Sequence, residues 1–141
     1  MDVGGLLSAI DRLAPFALAE DWDNVGLMVG RRDRPVARVL VALDLREAVL
    51  DDALARGADC CLVHHPPIFP ALSAVSDARA AGRVVLRAAE ERVAVIAAHT
   101  NLDSASGGLN DLMARALGMA DTVPLVPRPD DPAVGIGRVG R

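Results

Sequence analysis

Lysine is absent from this chain of 141 residues, and all fifteen basic side chains are arginine. Against nineteen carboxylates they leave a formal charge of −4, with no basic block of the kind that follows a nucleic-acid backbone, so nucleic acid is not an expected partner. We attach no function to the lack of lysine, which fits a codon bias. Aromatic residues make up only 2% of the chain, so its core must be aliphatic. No apolar run approaches the roughly 18 residues of a membrane helix, and Met1 to Gly5 has no cationic stretch ahead of an apolar one. A cytoplasmic location without membrane contact is therefore expected. The two cysteines are adjacent, Cys60 and Cys61, a spacing that suits small buried hydrophobes better than a structural disulfide or a redox pair.

Hydrophobic residues nevertheless account for 52% of the sequence, enough for one domain with a real core over residues 1–141. Val3, Leu6, Leu7, Ile10 and Leu13 recur at helical spacing and predict a helix over 3–13, ahead of Pro15. An acidic turn, Glu20-Asp21-Trp22-Asp23-Asn24, leads into a short strand closed by Gly30. Trp22 is expected to anchor the core at that turn; the alternative is a segment lining a site. A strand is predicted over 37–43, a helix over 46–56, and helices over 78–92 and 109–117, with the segment 71–77 as a loop. Asp44 reads as an N-cap for the second helix, or else as a site carboxylate.

Two further apolar runs are near-continuous, as strands buried on both faces are. The first, Cys60-Cys61-Leu62-Val63, runs into His64-His65-Pro66-Pro67; the second, Val93 to Ala98, ends at His99, with Asp103 four positions on. The alternation of strands and helices predicts an α/β fold with a parallel-type sheet, helices on its faces and right-handed crossovers. From about residue 122 the chain is proline-rich and loses periodicity, and no second domain is expected.

These are the only three histidines, and all stand at the carboxyl ends of predicted strands, where open α/β sheets bind ligands. Imidazole nitrogens with a carboxylate suit divalent Zn, Mn, Fe or Co. Adjacent strand residues point to opposite faces, so His64 and His65 can converge only where the strand has ended, which the two prolines favour. Each could then hold one of two metals, with Asp103 near or between them. His99 reads as a support, hydrogen-bonded to a carboxylate and orienting the ligands, or as a satisfied core histidine. Asp103-Ser104 before Gly107-Gly108 also fits an N-terminal cap and turn, and the glycine pair matches no nucleotide fingerprint.

Glu20-Asp21-Trp22-Asp23-Asn24-Val25-Gly26-Leu27, His64-His65-Pro66-Pro67-Ile68-Phe69 and Ala98-His99-Thr100-Asn101-Leu102-Asp103, with Gly107-Gly108-Leu109-Asn110-Asp111 after them, add a family resemblance. In that order they are similar to the signatures of the Nif-three-like dinuclear metal-centre family, whose bacterial members are often labelled GTP cyclohydrolase I type 2 homologues. The resemblance runs from the first helix to Gly140. It implies an α/β Nif-three-like fold, a toroidal hexamer, and two-metal sites facing an internal cavity. By motif, His64, His65 and Asp103 fall on metal-ligand positions, and His99 falls beside them without being one of the usual ligands. The implied activity is a metal-dependent hydrolysis of GTP cyclohydrolase type on a small-molecule or nucleotide substrate; non-enzymatic roles are also proposed for the family. Family members are much longer and carry a further histidine and glutamate near their far C-terminus. No histidine follows His99, so the chain is expected to represent the N-terminal portion of that fold. A non-enzymatic scaffold or partner-binding module is the second reading.

Overall fold

The computed structural model describes residues 1–141. Its centre is a sheet of four strands, β1 (Gly26–Val29), β2 (Val39–Ala42), β3 (Cys60–Val63) and β4 (Ala94–Ala97), in the spatial order β1-β4-β3-β2. Strands β2, β3 and β4 are parallel, and β1 runs antiparallel along β4. Five helices accompany them: α1 (Val3–Leu13), α2 (Glu47–Ala55), α3 (Ala80–Glu90), α4 (Thr100–Ser104) and α5 (Leu109–Ala116). The predicted helices and the two histidine-bearing strands lie where periodicity put them.

The strand period sorts the core into two sides. Cys61, Val63, Val95 and Ala97 point toward Leu50 and Ala53 of α2 and Val84, Val85 and Ala88 of α3. Cys60, Ala94 and Ile96 point the other way, toward Val3, Leu7 and Ile10 of α1. Helices thus cover both faces, which is why β4 is buried along its whole length and reads as an unbroken apolar run. Burying each Val, Leu or Ile side chain here contributes about 1.5–3 kcal/mol. Asp2 caps α1 by accepting from the Gly5 amide at 2.7 Å.

Both cysteines belong to this core and are fully buried. Burial pushes the Cys60 thiol up to about 12 and the Cys61 thiol up to about 11, so neither forms the reactive thiolate at neutral pH. A thiol reagent such as Ellman's is therefore expected to find no reactive cysteine in the native chain and both of them after denaturation. Prompt modification of the native chain would contradict this packing.

Three elements depart from the sequence reading. The polar segment after His99 is the short helix α4, and Asp103 lies inside it rather than capping the next helix, whose N-cap is Gly108. Asp44 is not an N-cap either: Arg46 occupies that position of α2 and makes no side-chain cap. The proline-rich tail forms a hairpin, β5 (Val123–Pro127) paired antiparallel with β6 (Gly135–Val139). Proline is tolerated because a two-stranded ribbon has only edge strands, whose outward amides need no partner. Gly135, at φ 152°, lets the strands close: a Cβ there would lie 2.2 Å from the Val126 carbonyl oxygen.

Candidate metal centre

The parallel strands deliver their following residues to one edge of the sheet. After β2 comes Asp44, after β3 His64 and His65, and after β4 His99, which leads into α4 and Asp103. Because β1 is antiparallel and Gly26 pairs with Ala97, the residues preceding β1 reach the same edge. That places Asp23 beside His99 and Asn24 against the Ile68 carbonyl.

Strand β3 ends at Val63, and the next two amides still bond to the end of β2 and the residue after it, His64 to the Ala42 carbonyl at 3.2 Å and His65 to that of Leu43 at 2.9 Å. The imidazoles nevertheless converge, with ring centroids 5.1 Å apart, as expected where a strand has ended. His99 stands 5.1 Å from the His64 ring and 5.6 Å from that of His65.

Each ring is anchored through the same atom. His64 Nδ1 lies 2.9 Å from the Ala98 carbonyl oxygen, His65 Nδ1 2.8 Å from Asp44 Oδ1, and His99 Nδ1 2.8 Å from Asp23 Oδ1. A carbonyl or carboxylate oxygen accepts, so Nδ1 is the donor in each ring, and in the neutral imidazole the lone pair is then on Nε2. One ligating nitrogen from each ring falls within 4.8 Å of the other two. Asp103 stands beside that group of three histidines without belonging to it: its Oδ1 is 3.8 Å from His64 Nε2, too far for a hydrogen bond.

The carboxylates divide by environment. Burial pushes the Asp103 carboxyl up, against the pull of the neighbouring histidines. Asp44, more open, is held below the usual range by the hydrogen bond from His65. Burial alone would raise Asp23, whose side chain is fully enclosed, but donation by His99, by the amide and hydroxyl of Thr100 and by the Asn24 amide holds it low. It is therefore the carboxylate partner anticipated for His99, a role for which Asp103 was the nearer candidate in sequence. Asn101, fully buried, accepts from the His99 amide at 2.9 Å and donates to the Ala14 carbonyl at 2.7 Å, tying the site to the end of α1.

Trp22 corrects the sequence reading: it is 62% exposed beside the site and anchors no core. Asp23 was not singled out as a site residue, because no local spacing links it to His99. The signal lay in the topology, which the sequence pattern leaves open for a strand as short as β1.

The family model described as Duf34/NIF3 (NGG1p interacting factor 3) matches residues 1–141. The chain belongs to the Duf34/NIF3 family. Among its curated NIF3-type relatives, the GTP cyclohydrolase 1 type 2 homolog of Bacillus subtilis (strain 168) is 40% identical over 127 residues, 90% of this chain and 34% of the relative. NIF3-like protein 1 of Bos taurus is 38% identical over 142 residues, 99% of this chain and 38% of that protein. The crystal structure of a Bacillus cereus protein related to NIF3 superposes with a TM-score of 0.86 at 39% identity, over 91% of this chain and 35% of that one. Reduced HcgD from Methanocaldococcus jannaschii gives 0.86 at 30% identity, over 99% and 54%. The NIF3 fold expected from the motifs is thereby established, and the chain spans between a third and about half of these relatives' lengths.

Proposed function

We propose that this chain binds one or two divalent metal ions through His64, His65 and Asp103, with His99 facing the same space, and that they serve hydrolysis of a small oxygen-rich or nucleotide substrate. The observation that supports this most directly is the common anchoring of the three imidazoles: three Nδ1 atoms held by oxygen acceptors, and one ring nitrogen of each histidine within 4.8 Å of the other two. The donor set fits a metal in spacing as well as in type. The 3.8 Å between His64 Nε2 and Asp103 Oδ1 lies within the span of two metal–ligand bonds of about 2.1 Å each. Imidazole with carboxylate suits Zn, Mn, Fe or Co without choosing among them. When bound, such ions act as Lewis acids and lower the pKa of a coordinated water. The chain's own residues orient the ligands: Ala98, Asp44 and Asp23 hold the three Nδ1 atoms and so fix the rings and their tautomers. The name GTP cyclohydrolase 1 type 2 homolog, carried by several relatives, motivates a purine nucleotide as the first substrate to assay. We place the protein in the cytoplasm as a homo-oligomer, with a hexamer as the form to look for.

Metal analysis of the purified chain tests the proposal. One to two equivalents are expected in the wild type, with loss in His64→Ala and in Asp103→Asn. Removing only the outer support, as in Asp44→Ala, is expected to weaken metal affinity by about 10- to 100-fold. A metal-free wild type, or metal retained in both ligand variants, would overturn it.

The second reading, a non-enzymatic scaffold, rests on surface composition. Leu112, Met113 and Leu117 of the α5 region and Val123, Leu125 and Val126 of β5 are all exposed, a grouping that favours covering by protein. The solution mass separates the two: a hexamer that requires metal supports the metal site, and a metal-free assembly of the same mass supports the scaffold.

A further inference from the structure

Only three aromatic residues occur in the chain, Phe16, Trp22 and Phe69. Two of them stand in water beside the histidines. Trp22 is 62% exposed and Phe69 46%. Their rings meet edge to face with centroids 6.0 Å apart at 74°, and Phe69 in turn meets the His99 ring at 6.2 Å and 89°. A continuous aromatic wall therefore starts one ring away from the cluster and extends outward.

The wall is held from beneath. Asp23, next to Trp22, is fixed by His99 and Thr100. The Asn24 carboxamide donates to the Ile68 carbonyl at 2.5 Å, tying the segment before β1 to the residue preceding Phe69. Two separate loops thus bring their one large aromatic each to the same place. A chain so poor in aromatics has little reason to leave two of its three in solvent, since such side chains bury the most apolar area per residue.

We propose that Trp22 and Phe69 form the side wall of a substrate subsite that takes a planar heteroaromatic ring, while an anionic oxygen group on the same molecule reaches the histidines. This rests on the metal-site reading above and names the substrate class for it. Flat π-systems stack on aromatic faces in offset or edge geometry, and such contacts accept many ring types. The wall selects for a ring, the histidine cluster for the anionic end.

Trp22 is the only tryptophan, so its emission reports the wall directly. The metal content of the chain is measured first. The same sample is then titrated with GTP and, separately, with inorganic tripolyphosphate, which carries the phosphates without a ring. GTP is expected to change Trp22 emission saturably, and tripolyphosphate to reverse that change by competition while leaving the emission of the free protein as it was. Phe69→Ala is expected to weaken GTP binding by about tenfold to a hundredfold, with tripolyphosphate affinity, metal content and far-UV dichroism unchanged. Trp22→Leu, followed by calorimetry, is expected to do the same.

Equal weakening of both ligands by Phe69→Ala, or no weakening of either, would overturn the wall, as would an altered solution mass with unaltered GTP affinity. A metal-loaded chain whose emission ignores GTP refutes the wall and leaves the metal site standing. Saturable quenching by guanosine in a metal-free chain refutes the metal site and supports the wall. Absence of both metal and quenching refutes both.

Discussion

Gly108→Ala is expected to destabilise the chain by about 3 kcal/mol or more, and to lower its melting temperature by roughly 10 °C for a domain of this size. The cause is steric. A Cβ built on Gly108 would lie 2.0 Å from the Leu102 carbonyl oxygen and 2.8 Å from that of Ala105, and both obstacles are backbone, which a rotamer change cannot move. The φ of −73° is ordinary, so glycine is needed for close approach and not for a left-handed turn. Leu102 lies in α4, next to Asp103, and relief of the clash has to push α4 or the start of α5. The variant is therefore expected to lose metal affinity together with stability. Gly107→Ala differs: that site has a positive φ of 72° but open space around it, so its cost is the smaller one of a strained backbone, about 1–2 kcal/mol. Thermal melts of the two variants side by side check the order, and a Gly108→Ala protein that melts with the wild type would refute the packing.

Asp111→Ala is expected to cost about 3–5 kcal/mol, because it leaves a buried guanidinium without its counter-charge. The Arg138 side chain is only 4% exposed and pairs with Asp111 across α5 and β6. Of its other hydrogen bonds, those to the Gly135 and Gly137 carbonyls, at 2.8 and 2.7 Å, stay within its own strand, and only a longer one of 3.4 Å, to the Ala105 carbonyl, reaches the body. Hydrogen exchange should accordingly show β5 and β6 losing protection before the central sheet. The pair also carries a pH dependence. Donation from Arg138 holds the Asp111 carboxyl below its ordinary 3.8, more than partial burial raises it, and the Gly107 amide adds to the effect. A folded-state value below the unfolded one gives stability that is present above the unfolded value and lost as pH falls through the folded one. Wild-type urea midpoints should therefore drop below about pH 4, by more than those of Asp111→Ala. Parallel curves would remove this ion pair from the account.

The sequence pattern disclosed those parts of the fold that are long, periodic or apolar. Helix α1 falls on its predicted residues, and β3 and β4 announce themselves as unbroken apolar runs because helices cover both faces of the sheet. Helix α4 escaped because its buried side chains are polar: Thr100, Asn101 and Ser104 turn inward to bond rather than to pack. The hairpin escaped because Pro124 and Pro127 argue against a strand in any sheet wider than two. The convergence of His64, His65 and His99 was legible from strand ends alone. Of their anchors, Asp44 was legible only as the alternative to a helix cap and Asp23 not at all, since they reach the rings across 21 and 76 positions of sequence, through a topology that only the folded chain displays. Trp22 was misjudged because size argues for burial when nothing else is known.

The antiparallel edge strand has a kinetic meaning. Strands β2, β3 and β4 join through crossovers of ordinary length, whereas Gly26 of β1 must find Ala97 of β4 across about half of the chain. Loop-closure entropy rises with separation, and pairings of high contact order are the slow ones. The histidine-bearing strands are therefore expected to come into register before the segment with Asp23 docks, leaving His99 for a time without its partner. On that order the appearance of the fully anchored histidine cluster is expected to follow the docking of β1, far in sequence from every imidazole it serves, and stopped-flow Trp22 emission checks it.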